Sequence, residues 1–266
     1  MIFLMVSIGG ITRLTDSGLS MTEWSLIKGI IPPLTASDWA ETFNKYKLSP
    51  EFIYKNYDMT LIEFKRIFFW EYFHRIWGRL IGLTYFLPFI YFWITSKFSS
   101  SEKTFFFVLL ILGASQGFMG WFMVKSGLTE NPDVSHFRLS AHLLIAFIIY
   151  SMLFFYFWVK FNLLRNTYNQ GDSRLTNISN YPLIICIIMV FATIVTGAFV
   201  AGTKAGWAYN NFPFMGDNLL PPVLLEKSTF GLLYLFNDIG FIQFFHRVLA
   251  STTLLFIVFT CFYLFK

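Results

Sequence analysis

Residues 182–202 read PLIICIIMVFATIVTGAFVAG, an uncharged run as long as one membrane-spanning helix. About 20 helical residues cross the roughly 30 Å hydrocarbon core of a bilayer. Four more apolar segments of similar length occur, at 68–95, 104–124, 139–160 and 241–265, and a half-length segment occupies 1–11. This pattern predicts an all-α integral membrane protein built as a helical bundle, with membrane lipid as its surroundings.

The composition agrees with a membrane environment. Hydrophobic residues make up 56% of the chain and charged residues 13%, about half the charged share of a soluble domain. The net charge of +5 comes from Lys and Arg dispersed through short connectors, so basic cytoplasmic loops explain it without a nucleic-acid partner. Cys186 and Cys261 lie inside apolar runs and are expected to pack against helices rather than form a disulfide.

The short connectors predict the orientation of the chain. Those after segments 68–95 and 139–160 are basic, and Lys266 ends on the same side; their charged residues are Lys97, Glu102, Lys103, Lys160, Arg165, Asp172 and Arg174. The positive-inside rule places them in the cytoplasm. The long connectors 13–66 and 203–240 then face the periplasm from the cell inner membrane. The first contains Pro32-Pro33, is nearly charge-balanced and is expected to form a structured cap.

An internal repeat divides the chain. The stretch GGITRLTDSGL (9–19) resembles GAFVAGTKAGW (197–207), and later in each half a Phe-His-Arg triplet opens a helix, at 73–75 and 245–247. Pro-Pro recurs at 32–33 and 221–222. We therefore predict two repeated units. The first, 1–165, holds four helices with a truncated first helix, and the second, 166–266, holds two of four.

Three histidines share one predicted membrane depth: His74, His142 and His246, each near the same end of its helix. Imidazoles on facing helices can fill both axial positions of haem iron, so all three are predicted metal ligands, with His74 and His142 forming one pair. The alternative is that they pack at headgroup depth as interfacial histidines. His136 precedes its helix and is offset by six residues, which favours a connector position.

Charged residues surround the predicted ligands. Glu71 lies three residues before His74 on the same helix face. It either supports a neighbouring imidazole or Arg by hydrogen bonding, or handles protons beside a substrate; spacing leaves both open. Arg75, Arg79 and Arg247 could pair with haem propionates, and snorkelling to lipid headgroups is the alternative.

Several motifs resemble the haem A synthase family, in the family's order and over essentially the whole chain. They are GGITRLTDSGLS (9–20), Glu23-Trp24, Ile31-Pro32-Pro33, WEYFHR (70–75), Gly78-Arg79, QGFMGW (116–121), Ser126-Gly127-Leu128, Ala141-His142-Leu143 and QFFHR (243–247). Without a cysteine pair in connector 13–66, the chain looks like the alphaproteobacterial and mitochondrial branch.

The resemblance implies eight helices in two four-helix halves, and oxidation of the C8 methyl group of haem O to the formyl group of haem A for terminal oxidase assembly. It implies that His74 and His142 hold the substrate haem beside the acid Glu71, and that His246 is one ligand of a haem b cofactor. The first helix is expected to lack its start, and helices seven and eight, with the second haem b ligand, to be absent.

Two other functions stay open from the residues. A b-type cytochrome that only carries electrons would use the same histidine pairs, and a truncated remnant without function would bind no haem. A transporter is less favoured because the polar groups cluster at one face rather than at broken helices. The expected partners of the enzyme are a haem O synthase that supplies substrate, an unidentified electron acceptor and, in a homo-oligomer, a second copy of the chain.

Overall fold

The computed structural model describes residues 1–24, 28–128, 132–168, 181–225 and 231–264. All regular elements of that part are helical; the ten α-helices are α1 Ile2–Leu14, α2 Ala36–Lys47, α3 Pro50–Tyr54, α4 Leu61–Ile94, α5 Ser100–Gly127, α6 His136–Tyr168, α7 Tyr181–Gly202, α8 Pro222–Leu225, α9 Leu232–Leu235 and α10 Ile239–Leu264. Asp172, Arg174 and Lys266, used in predicting the orientation, lie outside the described residues.

In the described part of the chain, four helices are long and apolar enough to cross a membrane: α5, His136–Leu163 of α6, α7 and α10. At most 17% of the residues in the apolar stretch of any of them are buried within the chain, so their apolar surfaces need lipid. Four predicted spans are thereby confirmed, and the chain is a multi-pass membrane protein.

The predicted span 68–95 falls within α4, which is long but not in that set. Residues 61–79 of this helix carry charged and polar side chains, among them Glu63, Lys65, Arg66, Glu71, His74, Arg75 and Arg79. The helix also begins earlier than predicted. Thr60 and Glu63 form a capping box, in which the threonine side chain accepts from the Glu63 N–H and the glutamate accepts from the Thr60 N–H.

The chain divides into two compact units. The first comprises Met1–Arg138 and Ile145–Met152, and the second comprises Leu139–Leu144 and Leu153–Lys266. Within the first, α1 packs on α4; within the second, α7 packs on α10. In each unit, the helix that carries the glycine motif of the repeat packs on the helix that carries the Phe-His-Arg triplet. This is the pairing that the predicted repeat requires. The predicted division at 165/166 stays a prediction.

The connector between α1 and α4 is a structured cap, as predicted. Helices α2 and α3 fold back on the start of α4 and enclose an aromatic core of Met21, Phe43, Tyr46, Phe64 and Phe68. Leu19, which is 3% exposed, anchors the cap on α5: a β-carbon at Gly127 would come within 2.8 Å of both its methyl carbons. The cap therefore holds residues 19–24 in a defined place beside α4.

The cap also buries a carboxyl group. Glu51 on α3 is 4% exposed and accepts a 3.0 Å hydrogen bond from the Tyr46 hydroxyl, which itself accepts one from the Asn56 amide. Burial, assisted by the nearby charge of Glu71, raises the pKa of Glu51 to about 7. Glu71 therefore has an acidic neighbour that is remote in sequence.

The helix pair of the second unit is joined by a polar seam. The Thr193 and Thr253 hydroxyls lie 2.9 Å apart, and the Cys186 thiol lies 3.4 Å from the Thr260 hydroxyl. Hydrogen bonds between helices stabilise association in lipid, where apolar contact provides little drive. This seam fixes the register of α7 on α10.

Candidate functional site

His74 lies on α4 where a glycine lets α1 approach. A β-carbon built on Gly9 would lie 3.4 Å from His74 Nε2, and one built on Gly78 would lie 3.4 Å from Met5 Cε. Any side chain at position 9 would fill the space beside the Nε2 nitrogen. The glycine therefore keeps open the space next to the nitrogen that would bind a metal.

One turn before His74, Glu71 holds the cap. Its carboxylate is 3% exposed and accepts 2.7 Å hydrogen bonds from the Ser20 hydroxyl and the Met21 N–H. It also forms a buried ion pair with Arg75. A buried carboxylate needs such partners to remain charged. The geometry thus shows the supporting role left open by the sequence, and proton handling stays a prediction.

Arg75 also holds the cap, and we call the contacts of Glu71 and Arg75 with residues 20–24 the first clamp. Its guanidinium donates to the carbonyls of Met21 at 3.0 Å and Glu23 at 2.9 Å, and it lies over the Trp24 ring at 4.8 Å. Together with the Glu71 pair, these bonds use three of its five N–H donors. The two remaining N–H donors of Arg75 could bind a haem propionate without breaking these contacts. The predicted pairing of Arg75 with a propionate stays a prediction.

Residues 29 and 30, further along the connector, also contact α4. The Tyr72 hydroxyl donates a 2.7 Å hydrogen bond to the carbonyl of Ile30. A β-carbon on Gly29 would come within 3.2 Å of Arg79 Nη2, so the Arg79 guanidinium lies directly under the connector backbone. Arg79 is therefore close to the same loop as Glu71 and Arg75.

His246 has the equivalent setting in the second unit. A β-carbon on Gly197 of α7 would lie 3.2 Å from His246 Cε1, closer than ordinary contact. The Thr196 hydroxyl lies 2.9 Å from His246 Nδ1. Gly9 and Gly197 occupy the same position of the repeat, so each half places a glycine beside the imidazole of its Phe-His-Arg triplet.

A second clamp accompanies His246. Gln243, three residues before it and 5% exposed, accepts from the Tyr209 N–H at 3.1 Å and donates to the Tyr209 carbonyl at 2.8 Å. Arg247, one residue after it, donates to the carbonyls of Tyr209 at 2.6 Å and Phe214 at 3.1 Å. Both connectors are thus held by the residues three before and one after the histidine.

Sequence reasoning assigned no role to Gln243 or Thr196. The offset of three residues from the histidine, shared with Glu71, would have found Gln243. No repeat could have found Thr196, because Ile8 occupies the corresponding position.

The remaining histidines lie on α6. His136 is the first residue of that helix rather than part of the preceding connector, and its ring contacts that of Phe137 in a tilted arrangement with centroids 4.2 Å apart. The helix begins earlier than predicted, so that expectation was wrong. His142 lies within Leu139–Leu144, which belongs to the second unit, whereas His74 belongs to the first. Their pairing stays a prediction.

Comparisons with known proteins decide the family. A sequence model of the family described as "Cytochrome oxidase assembly protein" matches residues 1–266. The chain belongs to this family. It is 44% identical to "Heme A synthase" of Nitrosospira multiformis over 95% of this chain and 70% of that protein. It is 46% identical to "Heme A synthase" of Flavobacterium psychrophilum over 98% and 76%, and 43% identical to that of Rickettsia felis over 97% and 75%.

No solved structure matches the chain significantly. The predicted family is confirmed by the sequence comparisons alone, and the helical fold is consistent with it.

The residues of this cytochrome oxidase assembly family member fit a haem. Imidazole is a haem ligand, and the glycines at 9 and 197 leave room beside His74 and His246 that a β-carbon would fill. Arg75 and Arg247 lie next to these histidines and retain guanidinium donors for an anionic group. The donor set and the space therefore suit a flat, anionic metal complex at each histidine.

Proposed function

We propose that this chain is a haem A synthase, an oxidoreductase of haem A biosynthesis that serves cytochrome oxidase assembly. The family and the relatives named above support this activity. The structural observation that carries it is the repeated histidine setting, in which Gly9 lies beside His74 and Gly197 lies beside His246. In the reaction, the C8 methyl group of haem O becomes a formyl group.

The two halves have different roles in this proposal. His74 and His142 hold the substrate haem O, and His246 holds a resident haem b. When bound, haem iron supplies the redox chemistry that methyl oxidation requires. The side chains of the protein position the haems: the imidazoles would set the place of each iron, and Arg75, Arg79 and Arg247 would hold propionates.

Glu71 acts at the substrate half. By holding Ser20 and Met21, its carboxylate keeps the cap over the histidine end of α4, which limits the access of water to the substrate. Because it lies one turn from His74, the same carboxylate is placed to accept or return a proton beside the bound substrate. Both roles need the Arg75 pair to keep the carboxylate in place.

The protein resides in the cell inner membrane, with the histidine sites towards the periplasm. Lys160 and Arg165 lie near the end of α6 opposite to His142. Lys97 and Lys103 lie where α5 follows the C-terminal end of α4, whereas His74 is in the N-terminal half of α4. By the positive-inside rule these basic residues support this orientation. A haem O synthase in the same membrane supplies the substrate, an unidentified acceptor takes the electrons, and a second copy of the chain is proposed as a neighbour in a homo-oligomer.

Pigment analysis tests the proposal. Membranes that contain haem O are supplied with this protein, and extracted haems are separated by chromatography. We expect haem A in the extract, its loss in His74→Ala, and no change in His136→Ala as the matched control. Bound haem with unmodified haem O in every sample would indicate an electron-carrying b-type cytochrome instead.

A further inference from the structure

The Thr196 hydroxyl contacts the imidazole of His246, and its two hydrogen-bond contacts bear on which imidazole nitrogen carries the proton. Thr196 on α7 is 6% exposed, and its Oγ1 lies 2.9 Å from His246 Nδ1 and 3.1 Å from the carbonyl oxygen of Thr193. A threonine hydroxyl has a single hydrogen to donate and two lone pairs to accept with. The two contacts therefore restrict where the imidazole proton lies.

A carbonyl oxygen only accepts, so the contact with Thr193 uses the hydroxyl hydrogen of Thr196. The contact with His246 then requires Nδ1 to carry the proton and donate it to Oγ1. In that tautomer, Nε2 has a free lone pair. The opposite arrangement, in which Thr196 donates to Nδ1, moves the proton to Nε2, where it blocks metal binding, and leaves the Thr193 contact without a hydrogen.

We propose that Thr196 is a positioning residue that holds His246 in the Nδ1–H tautomer, so that Nε2 is the nitrogen presented to haem iron. This inference rests on the proposed role of His246 as a haem ligand. Hydrogen bonds from the second nitrogen of a ligating histidine fix its tautomer and ring orientation and raise its basicity. Gly197 assists, because its missing side chain lets the ring lie against α7.

The hydroxyl is specific to the second half of the repeat, because Ile8 occupies the position equivalent to Thr196 in the first half.

The test compares Thr196→Val, which keeps the shape and removes the hydroxyl, with Thr196→Ser, which restores it. Thr252→Val is the matched control, because Thr252 lies exposed on α10 and donates only within its own helix. The readouts on purified protein are the haem b content by pyridine haemochrome and its midpoint potential.

We expect Thr196→Val to weaken haem retention by about ten- to a hundredfold, the usual effect of losing such a partner. The midpoint potential rises, because a less basic imidazole stabilises ferric iron less. Thr196→Ser and Thr252→Val keep the parent values. If Thr196→Val does not accumulate, Thr196→Ala removes the same hydroxyl and serves in its place.

A hydroxyl-free variant with the parent potential and haem affinity overturns the inference while leaving His246 as a ligand. Haem b retained unchanged in His246→Ala would instead overturn the proposed function on which the inference rests.

Discussion

Replacing Glu71 by alanine removes the centre of the first clamp. The Arg75 guanidinium, only 8% exposed, loses its counter-charge, and the Met21 N–H and Ser20 hydroxyl lose their acceptor. Breaking a buried ion pair on one side costs about 3–5 kcal/mol. Since Arg75 retains two carbonyl acceptors, we expect a loss near the lower end of that range, a large share of the roughly 5–15 kcal/mol of a typical domain.

Two measurements on detergent-purified protein follow this loss: thermal unfolding, and limited trypsin digestion of the cap. Glu71→Ala is expected to unfold earlier and to be cleaved faster than the parent. Glu71→Gln, which keeps one acceptor oxygen, falls between them. The matched control is Glu41→Ala, because Glu41 is 70% exposed in its pair with Lys45 and such surface pairs contribute about 0–1 kcal/mol.

The result that refutes this reasoning is specific. If Glu71→Ala abolishes turnover while unfolding and trypsin cleavage stay at parent values, the carboxylate does not hold the cap. Its only role would then be proton handling.

Three further predictions concern other buried groups. Gly197→Ala places a β-carbon 3.2 Å from His246 Cε1 and should lower haem b content, whereas Gly10→Ala meets nothing within 4 Å and should not, as pyridine haemochrome quantification will show. Gln243→Leu leaves the Tyr209 N–H without its acceptor and should destabilise the protein by about 1–3 kcal/mol in thermal unfolding. The pKa of Glu51 is raised from 4.5 to about 7, so the folded state holds a proton that the unfolded chain has released, and the free energy of unfolding should fall by roughly 3 kcal/mol from pH 4.5 to 7. Glu51→Gln should remove this pH dependence.

Each of these has a contradicting outcome. Equal haem content in the two glycine variants would mean that the ring does not lie against α7. If the Gln243→Leu protein is as stable as the parent, Gln243 does not hold the connector and the second clamp does not exist as described. If the free energy of unfolding of the parent does not change between pH 4.5 and 7, the Glu51 carboxyl is in contact with water.

The membrane-spanning part of the fold could be predicted because lipid imposes a simple rule on composition and length. Segments 104–124, 139–160, 182–202 and 241–265 each correspond to one helix. The predicted starts of α4 and α5 come too late, because hydrophobicity alone does not mark the polar turns with which these helices begin. The capping boxes Thr60-x-x-Glu63 and Ser99-x-x-Glu102 mark both starts in the sequence.

The site was predictable where the repeat marks it and not elsewhere. The repeat located His74 and His246, and the structure adds a glycine against each. The contacts of Glu71 with Ser20 and Met21 join residues about fifty positions apart, and only the folded cap creates them. The approach of Glu51 to Glu71 depends on the same cap, since no local spacing connects α3 to that turn of α4.

The most direct test of the account is a reduced-minus-oxidised spectrum of the purified protein, with pyridine-haem quantification, for the parent, His74→Ala, His246→Ala and His136→Ala. We predict bound low-spin haem in the parent and in His136→Ala, with a different part of the signal lost in His74→Ala and in His246→Ala. Unchanged spectra in both of those variants would contradict the claim that the two glycine-flanked histidines hold haem.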